Sequence, residues 1–156
     1  MDHEFFMREA IRLSLEGMRK NAGGPFGAVI VRDNQILGKG HNRVIDTNDP
    51  TAHAEVVAIR DACTNIAHFN LSGAIMYSSC EPCPMCLAAI YWARIEKIIY
   101  ANTTKDAADV DFDDLNIYKE IQLPIESRLI LSDQLLRDEA LQAFEEWRAK
   151  PDKTIF

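Results

Sequence analysis

Apolar and polar positions follow two periods along this chain, and each switch between them marks an element. Over residues 3–21, Met7, Ala10, Ile11, Leu15 and Met18 recur at helical spacing and predict an amphipathic helix. Gly23, Gly24 and Pro25 end it. The apolar run 26–31 then reads as a buried strand, Asp33-Asn34 as a tight turn, and 35–40 as the returning strand. Asn48-Asp49-Pro50 marks a loop, after which Thr51 is the expected cap of a helix over 52–63. Residues 74–79 predict a third strand, and Pro84 opens a third helix through Trp92, since proline suits the first helical position. Residues 97–101 read as a fourth strand and 129–131 as a candidate fifth. Between those two, 106–123 is irregular or weakly helical, and 133–149 returns to helical spacing through Leu136, Ala140, Ala143, Phe144 and Trp147.

Strands separated by helices favour a mixed sheet covered on both faces, so the expected class is α/β, a three-layer α/β/α sandwich. The 156 residues fit one domain, with no repeat or low-complexity segment. Its apolar runs are too short for a bilayer-spanning helix. The start, Met1-Asp2-His3-Glu4, is acidic and no secretory pattern follows, so a cytoplasmic setting is expected. Seventeen basic residues stand against 24 acidic ones, a net charge of −7, and the richest charge cluster, 106–114, is acidic. Binding a polyanion draws on phosphate neutralisation by Lys and Arg, so nucleic acid is not the expected partner. A small uncharged or cationic substrate fits better.

The four cysteines change the picture. Cys80, Cys83 and Cys86 lie within seven residues, and Cys83-x-x-Cys86 has metal-ligand spacing. Cys63 stands apart on a helix and is expected to be a small core residue. His53-Ala54-Glu55 begins one predicted helix, and Pro82-Cys83-Pro84-Met85-Cys86 begins another. Thiolates at a helix start are favoured by the helix dipole. One imidazole and two thiolates give three ligands, His53, Cys83 and Cys86, that suit tetrahedral zinc with its fourth position left for water. Cys80-x-x-Cys83 has the same spacing, so a closed four-ligand structural site is the competing arrangement. Against it, Cys80 ends a strand, and Glu55 is placed two residues after a ligand, where a carboxylate reaches metal-bound water. Zinc lowers the pKa of such water from ~15.7 toward ~7. The expected chemistry is hydrolytic removal of an amine from an aromatic ring, hydroxide attacking the amine-bearing carbon while Glu55 shuttles the proton. H-x-E followed by P-C-x-x-C, here with 26 residues between Glu55 and Pro82, is a known mark of zinc nucleobase deaminases.

On these residues the chain resembles the cytidine-deaminase-like superfamily and, within it, the bacterial guanine deaminases. The likeness runs through the stretches 23–31, 48–55, 80–86 and 89–94, then Phe112-Asp113-Asp114 and Ile117-Tyr118-Lys119-Glu120. It implies a five-stranded sheet between helices, one zinc ion per subunit, a homodimer, and release of ammonia from C2 of guanine to leave xanthine. It further implies that Phe26 stacks on the ring, Asn42 bonds through its amide, Asp114 reads the ring edge and the Ala54 N–H faces the substrate. Residues 132–156 are implied to form a C-terminal helix and a tail closing the site, the chain's own or that of a partner with exchanged segments. Relatives end that tail in Tyr; here Phe156 keeps stacking but has no phenol to hydrogen-bond.

Asp114 also has a physical reading of its own. Guanine presents two donors side by side, N1–H and the C2 amine, and an ionised carboxylate accepts both. Adenine would present an acceptor there. The plainer alternative makes Asp109, Asp111, Asp113 and Asp114 a solvated acidic loop. Phe26 also reads as core, Trp92 as packing or dimer contact, and Asn42 as a turn cap. His3, His41 and His68 lack ligand spacing to the cysteines. The rival functions are deamination of another ring (cytosine, isocytosine, a triazine or guanosine), tRNA adenosine deamination, and a non-catalytic zinc-stabilised module.

Overall fold

The structure, a computed structural model, describes residues 1–155. They divide into two compact units, Met1–Leu115 and the stretch from Asn116 onward. The first begins with α1, His3–Arg19, whose N-cap Asp2 accepts the Phe5 N–H at 3.0 Å. A hairpin follows, β1 (Gly27–Arg32) and β2 (Gln35–His41). Asp33 and Asn34 turn it with φ of 52° and 62°, the paired left-handed conformation of a two-residue hairpin loop. A short α2 spans Val44–Thr47, and α3 spans Ala54–Ile66. Then come β3 (Ile75–Cys80), α4 (Pro84–Trp92), β4 (Lys97–Asn102) and α5 (Thr104–Ala108).

β1 pairs antiparallel with β2 on one side and with β3 on the other, while β3 and β4 run parallel, giving the order β2-β1-β3-β4. Alternation along the strands splits the core in two. Val29, Val31 and Tyr77 meet Phe6, Ala10 and Leu13 of α1. Ala28, Ile30 and Met76 meet Ala54, Ala58 and Ala62 of α3, with Ile90 of α4. The expected mixed sheet between helix layers is therefore present in this unit. Its closeness to α3 depends on Gly38 and Gly40, where an added Cβ would run into α3 backbone. The open edge of β2 is covered by α3: Asp61 accepts the Lys39 N–H at 2.9 Å, and Asn65 donates to the Leu37 carbonyl at 2.8 Å.

The sheet has four strands, which corrects the expected five. Leu129, Ile130 and Leu131 are 75, 82 and 86 % exposed, and the Leu129 N–H goes to the Glu120 carboxylate (2.7 Å). Three apolar residues in a row resemble a strand, but pairing needs a neighbouring edge. Thr51 is not the cap of α3 either. Its N–H and hydroxyl both donate to Asp49 (2.8 and 2.6 Å), which holds Thr51 in a turn, and the helix starts only at Ala54, with His53 at the N-cap position.

The second unit carries α6 (Leu115–Gln122, entered from the first unit), a 3₁₀ turn (Ile125–Ser127) and α7 (Arg137–Ala149). None of the described side chains from Asn116 onward is buried. Among the described residues, no helix is long and apolar enough to cross a membrane.

Candidate active site

Two helix starts on the same face of the sheet build the site. His53 and Cys83 are the N-caps of α3 and α4, both in extended backbone (ψ 156° and 169°), with Pro84 opening α4 behind Cys83. No side-chain oxygen caps either helix, and the two side chains turn toward each other. His53 Nδ1 stands 3.5 Å from Cys83 Sγ and 3.5 Å from Cys86 Sγ. A tetrahedral zinc ion with ordinary bond lengths separates its nitrogen and sulfur ligands by about 3.5 Å. The three atoms lie within 4.8 Å of one another, so the cluster fits zinc as it stands.

Protonation in this cluster reflects its crowding. Cys83 is held down to about 4, chiefly by the Cys86 thiol that donates to it, with the His53 bond adding to the effect against burial. Cys86 is correspondingly pushed up, by that donation first and by burial second. His53 is raised by its bond to Cys83. A cation held here displaces the shared protons, because thiolate and neutral imidazole are the ligating forms.

Cys80 turns away from this group. Its thiol points to the Thr103 carbonyl at 3.5 Å, and burial pushes it up to about 11. Among the described residues, the group that could hold a metal is His53, Cys83 and Cys86, which leaves one tetrahedral position without a protein ligand.

Glu55 sits in the first turn of α3 and is only 6 % exposed. Burial raises its carboxyl. Cys86 Sγ approaches Oε2 at 3.3 Å, and the Ser78 hydroxyl donates to Oε1 at 3.2 Å. Ala54, fully buried, opens α3, where the first N–H groups of a helix have no intrahelical acceptor.

Asn42 is buried just after β2, and its Oδ1 accepts the Val44 N–H at 3.1 Å. That bond makes it a turn residue and also orients its amide, leaving the NH₂ end as the group that can donate. Phe26 lies edge-on to Phe112, centroids 4.9 Å apart at 90°. Gly24 makes room for the pair: a Cβ there would stand 2.9 Å from Phe112 and 3.0 Å from Phe26. Two residues on, Asp114 Oδ1 is a buried side-chain atom without a hydrogen-bond partner. Burial raises the Asp114 carboxyl, and the Cys83 thiolate adds to the effect, so Asp114 shares the field of the metal-binding cluster.

The remaining candidates fall elsewhere. Trp92, on the last turn of α4, is 69 % exposed. Phe156 lies outside the described residues. Cys63 packs half-buried against the α3 core. His41 bonds its neighbour's carbonyl, His68 accepts the Asn70 N–H, and His3 meets the Tyr77 hydroxyl at 2.6 Å. An open groove of about 690 Å³ along β2, α2 and α3 is lined by Lys20, Lys39, Arg43 and Arg60. Each of these cations is paired with a carboxylate, so the groove has no spare charge for an anion. Ser78 is the contributor that motif reading passed over, and Phe112, named there only within a stretch of likeness, had been given no role. The signal for Ser78 was available: two hydroxyls, Ser78 and Ser79, interrupt an otherwise apolar strand.

Residues 1–102 match the family described as the cytidine and deoxycytidylate deaminase zinc-binding region. The chain belongs to that family. His53, Glu55, Cys83 and Cys86 all fall inside the matched region, and zinc is the family's metal. The chain is 52 % identical over 148 residues to guanine deaminase of Bacillus subtilis (strain 168), covering 95 % of each. A solved structure of guanine deaminase from Bacillus subtilis superposes with a TM-score of 0.96 at 50 % identity, covering 100 % of this chain and 99 % of that one. A tRNA-specific adenosine deaminase of Aquifex aeolicus (strain VF5) is 40 % identical over 105 residues, covering 67 % of this chain and 69 % of the relative. The likeness to the guanine deaminase continues past residue 102 into the stretch that carries Asp114; the family match stops before it.

Proposed function

We propose that this protein removes the amine from C2 of guanine by hydrolysis, converting guanine and water to xanthine and ammonia. Near-full-length similarity to a guanine deaminase carries this reading. His53, Cys83 and Cys86 would hold the zinc ion. When bound, zinc supplies Lewis acidity that makes water a nucleophile near neutral pH. Glu55 accepts a proton from the attacking water and delivers it to a ring nitrogen, then takes the remaining proton of the added hydroxyl and gives it to the amine as the C2–N bond breaks. Its burial supports this role, since a carboxyl raised from its ordinary value accepts and releases protons more evenly at neutral pH.

Recognition is divided between an acceptor and a donor. The unpartnered Asp114 Oδ1 supports a carboxylate that takes the N1–H and amine donors of guanine. Asn42, with Oδ1 already engaged, donates its NH₂ to an acceptor elsewhere on the purine. Phe26, backed by Phe112, supplies the stacking face, and the Ala54 N–H donates at the start of α3. Phe156 and the closing role of residues 132–156 rest on the family resemblance, while Trp92, a candidate on the substrate side, is read as a packing or dimer contact. The homodimer belongs to the same proposal. It is supported by the second unit's own surface, where Leu135, Phe144 and Ile155 are exposed and would be covered by a partner copy. A cytoplasmic setting fits two ligand thiols, Cys83 and Cys86, that must stay reduced.

An ammonia-release screen of zinc-loaded protein over purines, pyrimidines and triazines tests the substrate. Guanine is expected to turn over with xanthine as the coupled product. Inert guanine beside an active second ring would remove the specificity and leave the hydrolytic chemistry. Deamination of tRNA adenosine is the second reading, favoured by the Aquifex aeolicus relative and opposed by the net charge of −7. Tight, salt-sensitive tRNA binding would establish it instead.

A further inference from the structure

β3 is buried along nearly its whole length, and a buried hydroxyl in such a strand needs a partner. Ser78, 2 % exposed, has one in Glu55 Oε1. Its neighbour Ser79 accepts the Gly27 N–H at 3.0 Å, so the two hydroxyls serve different elements. The side chains that face the Glu55 carboxylate are Ser78, which donates to Oε1, and Cys86, whose Sγ lies 3.3 Å from Oε2. Among the described residues, Ser78 is the hydroxyl that donates to the Glu55 carboxylate.

We propose that Ser78 is a positioning residue that holds Oε1 of Glu55 and thereby reserves Oε2 as the oxygen that carries the proton. The inference rests on Glu55 being the proton carrier. The bond acts through orientation. The carboxylate turns freely about its last torsion unless something fixes it, and a wrongly turned carboxylate presents neither lone pair to the water. With Oε1 tied to β3, Oε2 faces the side on which Cys86 lies. A hydroxyl suits this task because it can donate to Oε1 whether or not Oε2 is protonated.

Three variants separate the hydroxyl from the packing: Ser78→Ala, Ser78→Thr and Ser78→Val, with Glu55→Gln as reference. Ser78→Ala is expected to keep wild-type zinc stoichiometry, to lose about ten-fold or more in kcat on guanine, and to change KM by less than about two-fold. Ser78→Thr keeps the hydroxyl and recovers most of kcat; Ser78→Val has the same shape and does not. A second readout needs no turnover. In infrared difference spectra of zinc-loaded protein without substrate, the carboxylate band assigned by its absence in Glu55→Gln shifts in the Ala and Val variants and holds in Thr. An unmoved band in Ser78→Ala overturns the proposal. So do equal losses in all three variants, which mark packing, and loss of zinc from Ser78→Ala, which marks support of the metal. Normal turnover in Glu55→Gln would instead defeat the proton-carrier reading, while the band shift still reports whether Ser78 holds the carboxylate.

Discussion

The α1 face of the sheet and the face carrying α3 and α4 share the same strands but are filled with different materials. On the α1 side, Phe6 and Leu13 of the helix meet Val29, Val31 and Tyr77 of the sheet, large side chains that interlock by volume. The charged residues of α1 stay outside in a chain of ion pairs linking Glu9, Arg12, Glu16 and Lys20, with Lys39 of β2. Against α3 the packing is made of Ala54, Ala58 and Ala62 on Gly38 and Gly40. Small residues bring backbones close, so the helix start comes down onto the sheet. There the buried groups turn polar, Glu55 and Ser78, beside the Cys86 thiol. One face stores stability, and the other gives up apolar volume at one end to place a carboxylate beside a metal-binding cluster.

Substitutions should therefore separate stability from chemistry by face. The largest effect is expected from Glu55→Gln, which should lower ammonia release from guanine about 10³-fold while leaving zinc content and unfolding unchanged. Metal analysis beside the assay checks it, and retained turnover would count against the division. Phe6→Ala on the opposite face should do the reverse. Urea unfolding should report a loss of about 3–4 kcal/mol, with kcat per folded molecule unchanged. Asp114→Asn replaces an acceptor-only group by one that also donates, and kcat/KM for guanine should fall about 10- to 100-fold. The smallest effect belongs to the α1 ion pairs. Arg12 and Lys39 hold Glu9 down to about 2 from its ordinary 4.5. A carboxyl lowered on folding adds stability that is complete above 4.5 and lost as pH falls toward 2. Glu9→Gln should then cost less than about 1 kcal/mol at neutral pH and nothing at the acid end. Acid acts on the other face through the metal: His53, Cys83 and Cys86 must be deprotonated to bind it, so zinc occupancy should fall as pH falls.

Much of the chemistry was legible from local spacing. His53-x-Glu55 and Cys83-x-x-Cys86 are helix-start patterns, and the separations within each set the side chains on one turn whatever the rest of the fold does. The hairpin was equally local, because Asp33-Asn34 between two apolar runs suffices to turn it. Thr51 failed as a cap because its bonds to Asp49 hold it in a turn and the helix begins only at Ala54. Residues 129–131 failed as a strand because period and composition cannot supply a pairing edge. Ser78 was invisible as a partner of Glu55 because the two are 23 residues apart in sequence and meet only when α3 lies across β3.

The amino-acid sequence alone determined which groups could bind a metal and which carboxylate accompanies them, since ligand type and short spacing are properties of consecutive residues. Which cysteine stands outside the cluster was decided by tertiary structure: the end of β3 aims Cys80 at the Thr103 carbonyl. The same holds for the carboxylate oxygen that Ser78 engages and for the strand count. Each of these depends on how separate elements approach in space, and backbone closeness at Gly38 and Gly40 sets that approach for α3.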